Sequence, residues 1–258
     1  MSADLYVYAI STPAEEHQLG TGIDDHPLRV ITAPGGVAAV VHEHRDGPYQ
    51  GDDDDDVRRW VLSHSDVVER LAEATGAVLP VSFNVIVAHS EEDPAEQRLQ
   101  RWLHENADDL AARLAQLRGR IELRIEISLD AATVAQGHPE TEVMRAEIDG
   151  RPAGVQRLLR KRLEHHARDL ADALADELYP DYRRRLAALA DDLVENRASR
   201  AEPGEVPVAA FSVLAPAERT QAIGSALAKI RDEQPAAQVR FLGPWPPYSF
   251  ADVPTMTS

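Results

Sequence analysis

Along this chain apolar residues recur in two rhythms, every second residue or every third and fourth, and the changes between them predict a mixture of strands and amphipathic helices. Residues 5–10 (LYVYAI) read as a first strand, and residues 30–33 and 37–44 as two more, joined in a hairpin at Pro34, Gly35 and Gly36. Val57, Trp60, Val61, His64, Val68 and Leu71 then share one face of a helix that Gly76 closes. The aspartate run 52–56 lies at its start, where carboxylates meet unpaired N–H groups and the positive end of the helix dipole. Residues 78–87 (VLPVSFNVIV) read as one buried extended segment. Leu99, Trp102, Leu103, Leu110, Leu114 and Leu117 mark a single long helix from near Pro94 to Gly119.

The strictest alternation follows. Ile121, Leu123, Ile125, Ile127 and Leu129 interleave with Glu122, Arg124, Glu126, Ser128 and Asp130, which predicts a central strand with Glu122, Arg124 and Glu126 turned away from the local core. Beyond Gly150, a stripe of Val155, Leu158, Leu159, Leu163, Leu170, Leu174 and Leu178 predicts a helix up to Pro180, with Leu186, Leu189 and Leu193 extending it. Residues 199–207, carrying Pro203, Gly204 and Pro207, read as a loop. Residues 208–214 read as a strand, 216–232 as a helix with Ile223, Leu227 and Ile230 inward, and 238–242 as a last strand. The order predicts the α+β class: two domains with ferredoxin-like elements, mixed antiparallel sheets packed by amphipathic helices, spanning 1–119 and 120–258.

Composition narrows the function classes. With 258 residues and 43% apolar content the chain has material for real cores. No stretch approaches the roughly 18 apolar residues of a membrane span, and the start lacks a basic leader region, so a cytoplasmic protein is expected. The absence of cysteine removes disulfides, thiol catalysis and cysteine-ligated metals together. A formal net charge of −17 repels phosphate backbones, so nucleic acid is not expected as a partner. Lysine occurs only at Lys161 and Lys229, a bias that fits either a GC-rich genome or a salt-adapted acidic surface.

No glycine-rich phosphate loop, nucleophile elbow or zinc-protease helix occurs. His42 and His44 share a strand face but lack a third ligand, and His165 with Asp169 reads as a helix-surface pair, so no metal or cofactor is expected. The aspartate run lacks the spaced ligands and turn glycine of a calcium loop. His64, on the apolar face beside Trp60 and Val68, reads as a core histidine. The basic residues Arg157, Arg160, Lys161, Arg162, Arg168 and 183–185 are laced with acids, which predicts ion pairs. What stands apart is Gly243, Pro244, Trp245, Pro246, Pro247, Tyr248, Ser249 and Phe250. Three prolines stiffen it and three aromatic rings fall within six residues of a chain with 5% aromatics, so it must anchor on its own domain, face a partner, or do both.

YVYAI at 6–10, HSDVVERL at 64–71 with AVLPVSFNVIV at 77–87, and FLGPWPPYSF at 241–250 together resemble the gas vesicle F/L protein family, in order and spacing over almost the whole chain. One departure is that Phe83, Asn84 and Val85 stand where the family usually has Phe-Gly-Thr. The resemblance implies a cofactor-free, non-enzymatic accessory protein of gas vesicle assembly that contacts the shell protein and other accessory proteins. The competing readings are a small-molecule-binding regulatory protein, or a haem-binding or cofactor-free oxygenase using His64 or His89.

Overall fold

The structure, a computed structural model, describes residues 3–51, 53–197 and 202–254. Asp52 of the acidic run and residues 199–201 of the expected loop lie outside the described residues. The first compact unit comprises Met1–Glu122 with Trp245–Ser258, and the second Leu123–Pro244.

The first unit is built from β1 (Asp4–Ser11), α1 (Glu16–Leu19), β2 (Arg29–Ala33), β3 (Val37–His44), α2 (Asp54–Thr75), β4 (Val78–Pro80), β5 (Ile86–Val87), α3 (Ala95–Glu105) and α4 (Ala107–Leu117). Its sheet runs β2-β3-β1-β4, with β5 pairing beside β4 on the same edge of β1. All of these pairings are antiparallel. That is the strand order of a ferredoxin-like sheet, entered through a hairpin at the expected place. Consecutive residues of β1 are buried from Leu5 to Ser11, so both of its faces are covered. A bulge between Val7 and Ala9 leaves Tyr8 as the extra residue of the β1–β3 ladder, and such a residue is re-aimed by the local kink.

α2 begins where the aspartates predict: Asp53 caps it, accepting from the Asp55 N–H, and Asp54, Asp55 and Asp56 fill its first turn. Gly76, at φ 70°, ends it in the left-handed conformation that glycine adopts without steric cost. Two expectations change here. The segment 78–87 is not one strand: β4 and β5 flank a turn in which Asn84 has φ 70°. The helix expected from Pro94 to Gly119 is broken at Asn106 (φ −106°, ψ 8°), whose side chain donates to the Trp102 carbonyl and so offers the backbone an alternative to continuing the helix.

The second unit takes up the chain within β6 (Arg120–Asp130) and continues through α5 (Ala131–Val134), α6 (Pro139–Ile148), α7 (Ala153–Ala187), β7 (Asp192–Glu195), β8 (Glu205–Pro216), α8 (Thr220–Glu233) and β9 (Ala237–Trp245). Its sheet order is β7-β8-β6-β9, so β6 is central as its alternation predicts, and the order has the same pattern as in the first unit. Leu123, Ile125, Ile127 and Leu129 are buried. The alternation slips at its start: Ile121 is half-buried and Glu122 is buried, a correction to the outward place expected for Glu122. Arg124 and Glu126 are half-buried and bond each other at 3.0 Å.

α7 runs on past Pro180, as expected, but its inward face differs from the expected one. Its buried side chains are Ala167, Ala171, Ala175, Tyr182 and Leu186 rather than the leucine stripe, because an i, i+4 row of alanines lets the helix lie close on β8. Val155 and Leu158 are exposed. Leu193 belongs to β7, antiparallel to β8, and not to a longer helix.

Candidate functional site

The helix-facing side of β1 and β3 carries polar aromatic side chains, which burial obliges to pair. His64, brought by α2 onto the sheet, has both ring nitrogens engaged: Nε2 lies 3.0 Å from the Val81 carbonyl and Nδ1 lies 2.9 Å from the Tyr6 hydroxyl. A carbonyl only accepts, so Nε2 carries the proton and Tyr6 donates to Nδ1. The Tyr6 oxygen in turn accepts from the Asn84 N–H at 3.2 Å. A second chain runs beside it. The Ile23 N–H donates to the Tyr8 hydroxyl at 2.8 Å, the Tyr8 hydroxyl pairs with His42 Nδ1 at 2.8 Å, and His42 Nε2 faces the Tyr49 hydroxyl at 3.3 Å.

The rings pack as well as bond: Tyr6 stacks on His42 at 4.9 Å, and His26 stacks on the same imidazole at 4.8 Å. Desolvation drives the titration of these groups. Burial lowers His64 to about 4 against a weaker opposing pull from the Val81 carbonyl. Burial, with His26 and His44 nearby, lowers His42 to about 3. Burial raises Tyr6 and Tyr8, and pushes Tyr49 up to about 12. Gly22 is required beside this chain, because a Cβ there would collide with the Tyr8 hydroxyl.

Asn84 fastens the network to its rim. Its side-chain Oδ1 accepts from the Tyr49 N–H at 2.9 Å and its Nδ2 donates to the Tyr49 carbonyl at 3.0 Å. Asparagine is among the few non-glycine residues that accept positive φ, so Asn84 fits the turn and adds two side-chain bonds across it.

The segment 243–250 is divided. Gly243, Pro244 and Trp245 extend β9, Pro246 and Pro247 are buried, and Tyr248, Ser249 and Phe250 form a single 3-10 turn. Gly243 and Pro244 fall in the second unit and Trp245–Phe250 in the first. Ser249 donates from its N–H (2.8 Å) and its hydroxyl (2.6 Å) to the two carboxylate oxygens of Glu122, which explains why Glu122 is buried. The Ser65 side chain of α2 hydrogen-bonds the Tyr248 hydroxyl, where burial pushes Tyr248 up to about 12. Beyond the segment, Asp252 accepts from Arg113 at 2.9 Å. Trp245 and Tyr248 nonetheless keep 38% and 39% of their surface exposed. On α2, Val61 (39%) and Leu62 (57%) are exposed one helical turn before Ser65.

The remaining sequence candidates separate cleanly. His42 and His44 do share a face, but His42 is held by Tyr8 and Tyr49. His165 and Asp169 form an exposed pair at 4.0 Å. Arg183, Arg184 and Arg185 are ion-paired with Glu195, Asp181 and Glu233. His64 has no ring nitrogen left for a haem iron. His89 is half-buried, and its backbone N–H donates to Asp4. Among the described residues no helix is long and apolar enough to cross a membrane. Sequence reasoning missed Tyr6, Tyr8, Tyr49 and Asn84; the available signal was two tyrosines on one face of a strand whose partner carries histidines on the same face.

Residues 4–252 match the family described as gas vesicle synthesis protein GvpL/GvpF. Gas vesicle protein L1 of Halobacterium salinarum is similar at 30% identity, over 96% of this chain and 89% of that protein. Gas vesicle protein L of Haloferax mediterranei is similar at 29%, over 90% and 72%. Among solved structures, the crystal structure of GvpF from Anabaena sp. PCC7120 superposes with a TM-score of 0.70 at 19% identity, covering 98% of both chains. GvpF from Microcystis aeruginosa superposes with a TM-score of 0.66 at 17% identity, covering 98% and 100%.

Proposed function

Because the chain belongs to the gas vesicle GvpL/GvpF family, we propose that it is a non-catalytic accessory protein of gas vesicle assembly, acting in the cytoplasm and at the vesicle through contacts with the shell protein and other vesicle proteins. The observation that carries the reading is the apolar surface of the first unit, where Val61 and Leu62 on α2 stand exposed one helical turn before Ser65, the residue that holds Tyr248. Exposed apolar side chains gathered on one face favour association with an apolar partner, and the small hydrophobic shell protein supplies that chemistry.

In this reading the segment 243–250 has a double role. Pro246, Pro247 and the Ser249–Glu122 pair fasten it, and the fastened backbone holds the Trp245 and Tyr248 rings in fixed positions, which lowers the ordering entropy lost on binding. Beneath it, the paired tyrosine and histidine network stiffens the seat of α2. The test is genetic and direct. A clean deletion strain should form no gas vesicles, or few and misshapen ones, under electron microscopy, and the intact gene should restore them. Normal vesicles in the deletion strain would refute the proposal.

A further inference from the structure

In the second unit, α6 opens with His138 at its N-cap and Glu140 in its first turn, and α7 presents His166 one residue before the buried Ala167. One ligand atom from each of the three lies within 4.8 Å of the others. Nε2 of His166 is 3.6 Å from a carboxylate oxygen of Glu140, and the two imidazole rings meet edge-on with centroids 5.7 Å apart. His138 Nδ1 and His166 Nε2 are both buried and have no hydrogen-bond partner, and the His138 side chain makes no capping bond to the helix it begins. Buried imidazole nitrogens are ordinarily satisfied, so two of them converging with a carboxylate is the pattern of ligands rather than of packing.

We propose that His138, Glu140 and His166 bind a divalent first-row transition-metal ion, with zinc as its representative, and that the ion ties the start of α6 to α7. The donor set selects the class: two imidazoles exclude magnesium and calcium, which take oxygen ligands, and two nitrogens with one carboxylate suit zinc and its neighbours. Zinc bonds of about 2.0–2.2 Å in tetrahedral geometry bring ligand atoms to roughly 3.4 Å apart. Glu140, whose side chain is 71% exposed, supplies the movement required, while the two histidines are held by the helices that carry them. Glu142 in the same first turn adds negative charge against the positive helix end. A fourth position remains for water. The ion then acts as a cross-link between elements already packed together, and binding to the folded form alone makes it stabilising.

The test uses the full chain, stripped with a chelator and titrated with zinc chloride by calorimetry. One site per chain is expected. Zinc at about a hundredfold over its Kd should raise the Tm by roughly 5–10 °C, and magnesium should not. His138→Ala and His166→Ala should each weaken zinc by about tenfold or more, and Glu140→Gln should weaken it less. His165→Ala, altering an exposed neighbour on the same helix, should leave binding unchanged. Cobalt should give the intense visible absorption of a four-coordinate site in the native chain and lose it on Glu140→Gln, a readout that stands even if an alanine variant does not fold. No saturable site, or zinc binding retained in the double histidine variant, would overturn the proposal.

Discussion

In the first unit the helix-facing side of β1 and β3 is filled by Tyr6, Tyr8 and His42, with His64 descending from α2. In the second, β6 offers Leu123, Ile125, Ile127 and Leu129, and α7 meets β8 through a row of alanines. The strand order is the same pattern in both sheets. Topology therefore does not dictate what fills a core, and the two fillings have different physics. The aliphatic side chains of β6 carry no proton to gain or lose. The polar core is fixed by donors and acceptors that match only while both histidines stay neutral, so it is directional, specific and sensitive to acid.

The largest effect should come from the second unit. Phe211→Ala, at a fully buried site on β8, is expected to cost about 3–5 kcal/mol of second-unit stability in chemical denaturation, by about the same amount at pH 7.5 and pH 5.5. The polar side should instead respond to pH. His64 falls from its ordinary 6.5 to about 4 and His42 to about 3 on folding, so below pH 6.5 the unfolded chain binds protons that the folded chain refuses. Stability from this source is complete above pH 6.5 and is lost as the pH falls toward 4, by on the order of 3 kcal/mol per histidine. A titration of first-unit stability from pH 7.5 to pH 4 checks it, and His64→Gln should flatten part of the slope.

Smaller effects sharpen the contrast at the edge of the network. Asn84→Ala forces a β-carbon residue with no local hydrogen bond into φ 70° and removes both bonds to Tyr49, for about 2–3 kcal/mol. Asn84→Gly keeps the turn and should cost less than the alanine variant in the same denaturation series. Smallest is Ser249→Ala, which leaves the Ser249 N–H on Glu122 but removes the hydroxyl bond, for about 1–2 kcal/mol in first-unit unfolding.

The same contrast explains what the sequence reveals. Hydrophobic rhythm exposes β6, α2 and the β2–β3 hairpin, because their patterns are local and long. It does not expose β7, whose DLVE is four residues with a single half-buried side chain, nor the alanine contact of α7, because alanine sits quietly beside a louder leucine stripe. The polar network and the seat of the tail escape for another reason. Tyr6 meets His64 across 58 residues and Ser249 meets Glu122 across 127, and no local periodicity encodes a partner at that distance. The tail is legible as a special segment from its composition, but its place in the first unit is not.

The proposal that the exposed apolar surface of α2 engages the shell protein is tested most directly by measuring the affinity of the native chain and of a Val61→Glu/Leu62→Glu variant for that protein. Both positions are exposed, so the variant's Tm should stay within about 2 °C of the native chain. Its affinity should fall by about tenfold or more, because two buried carboxylates have no place in an apolar contact. A variant with unchanged Tm that binds the shell protein as tightly as the native chain would contradict the account.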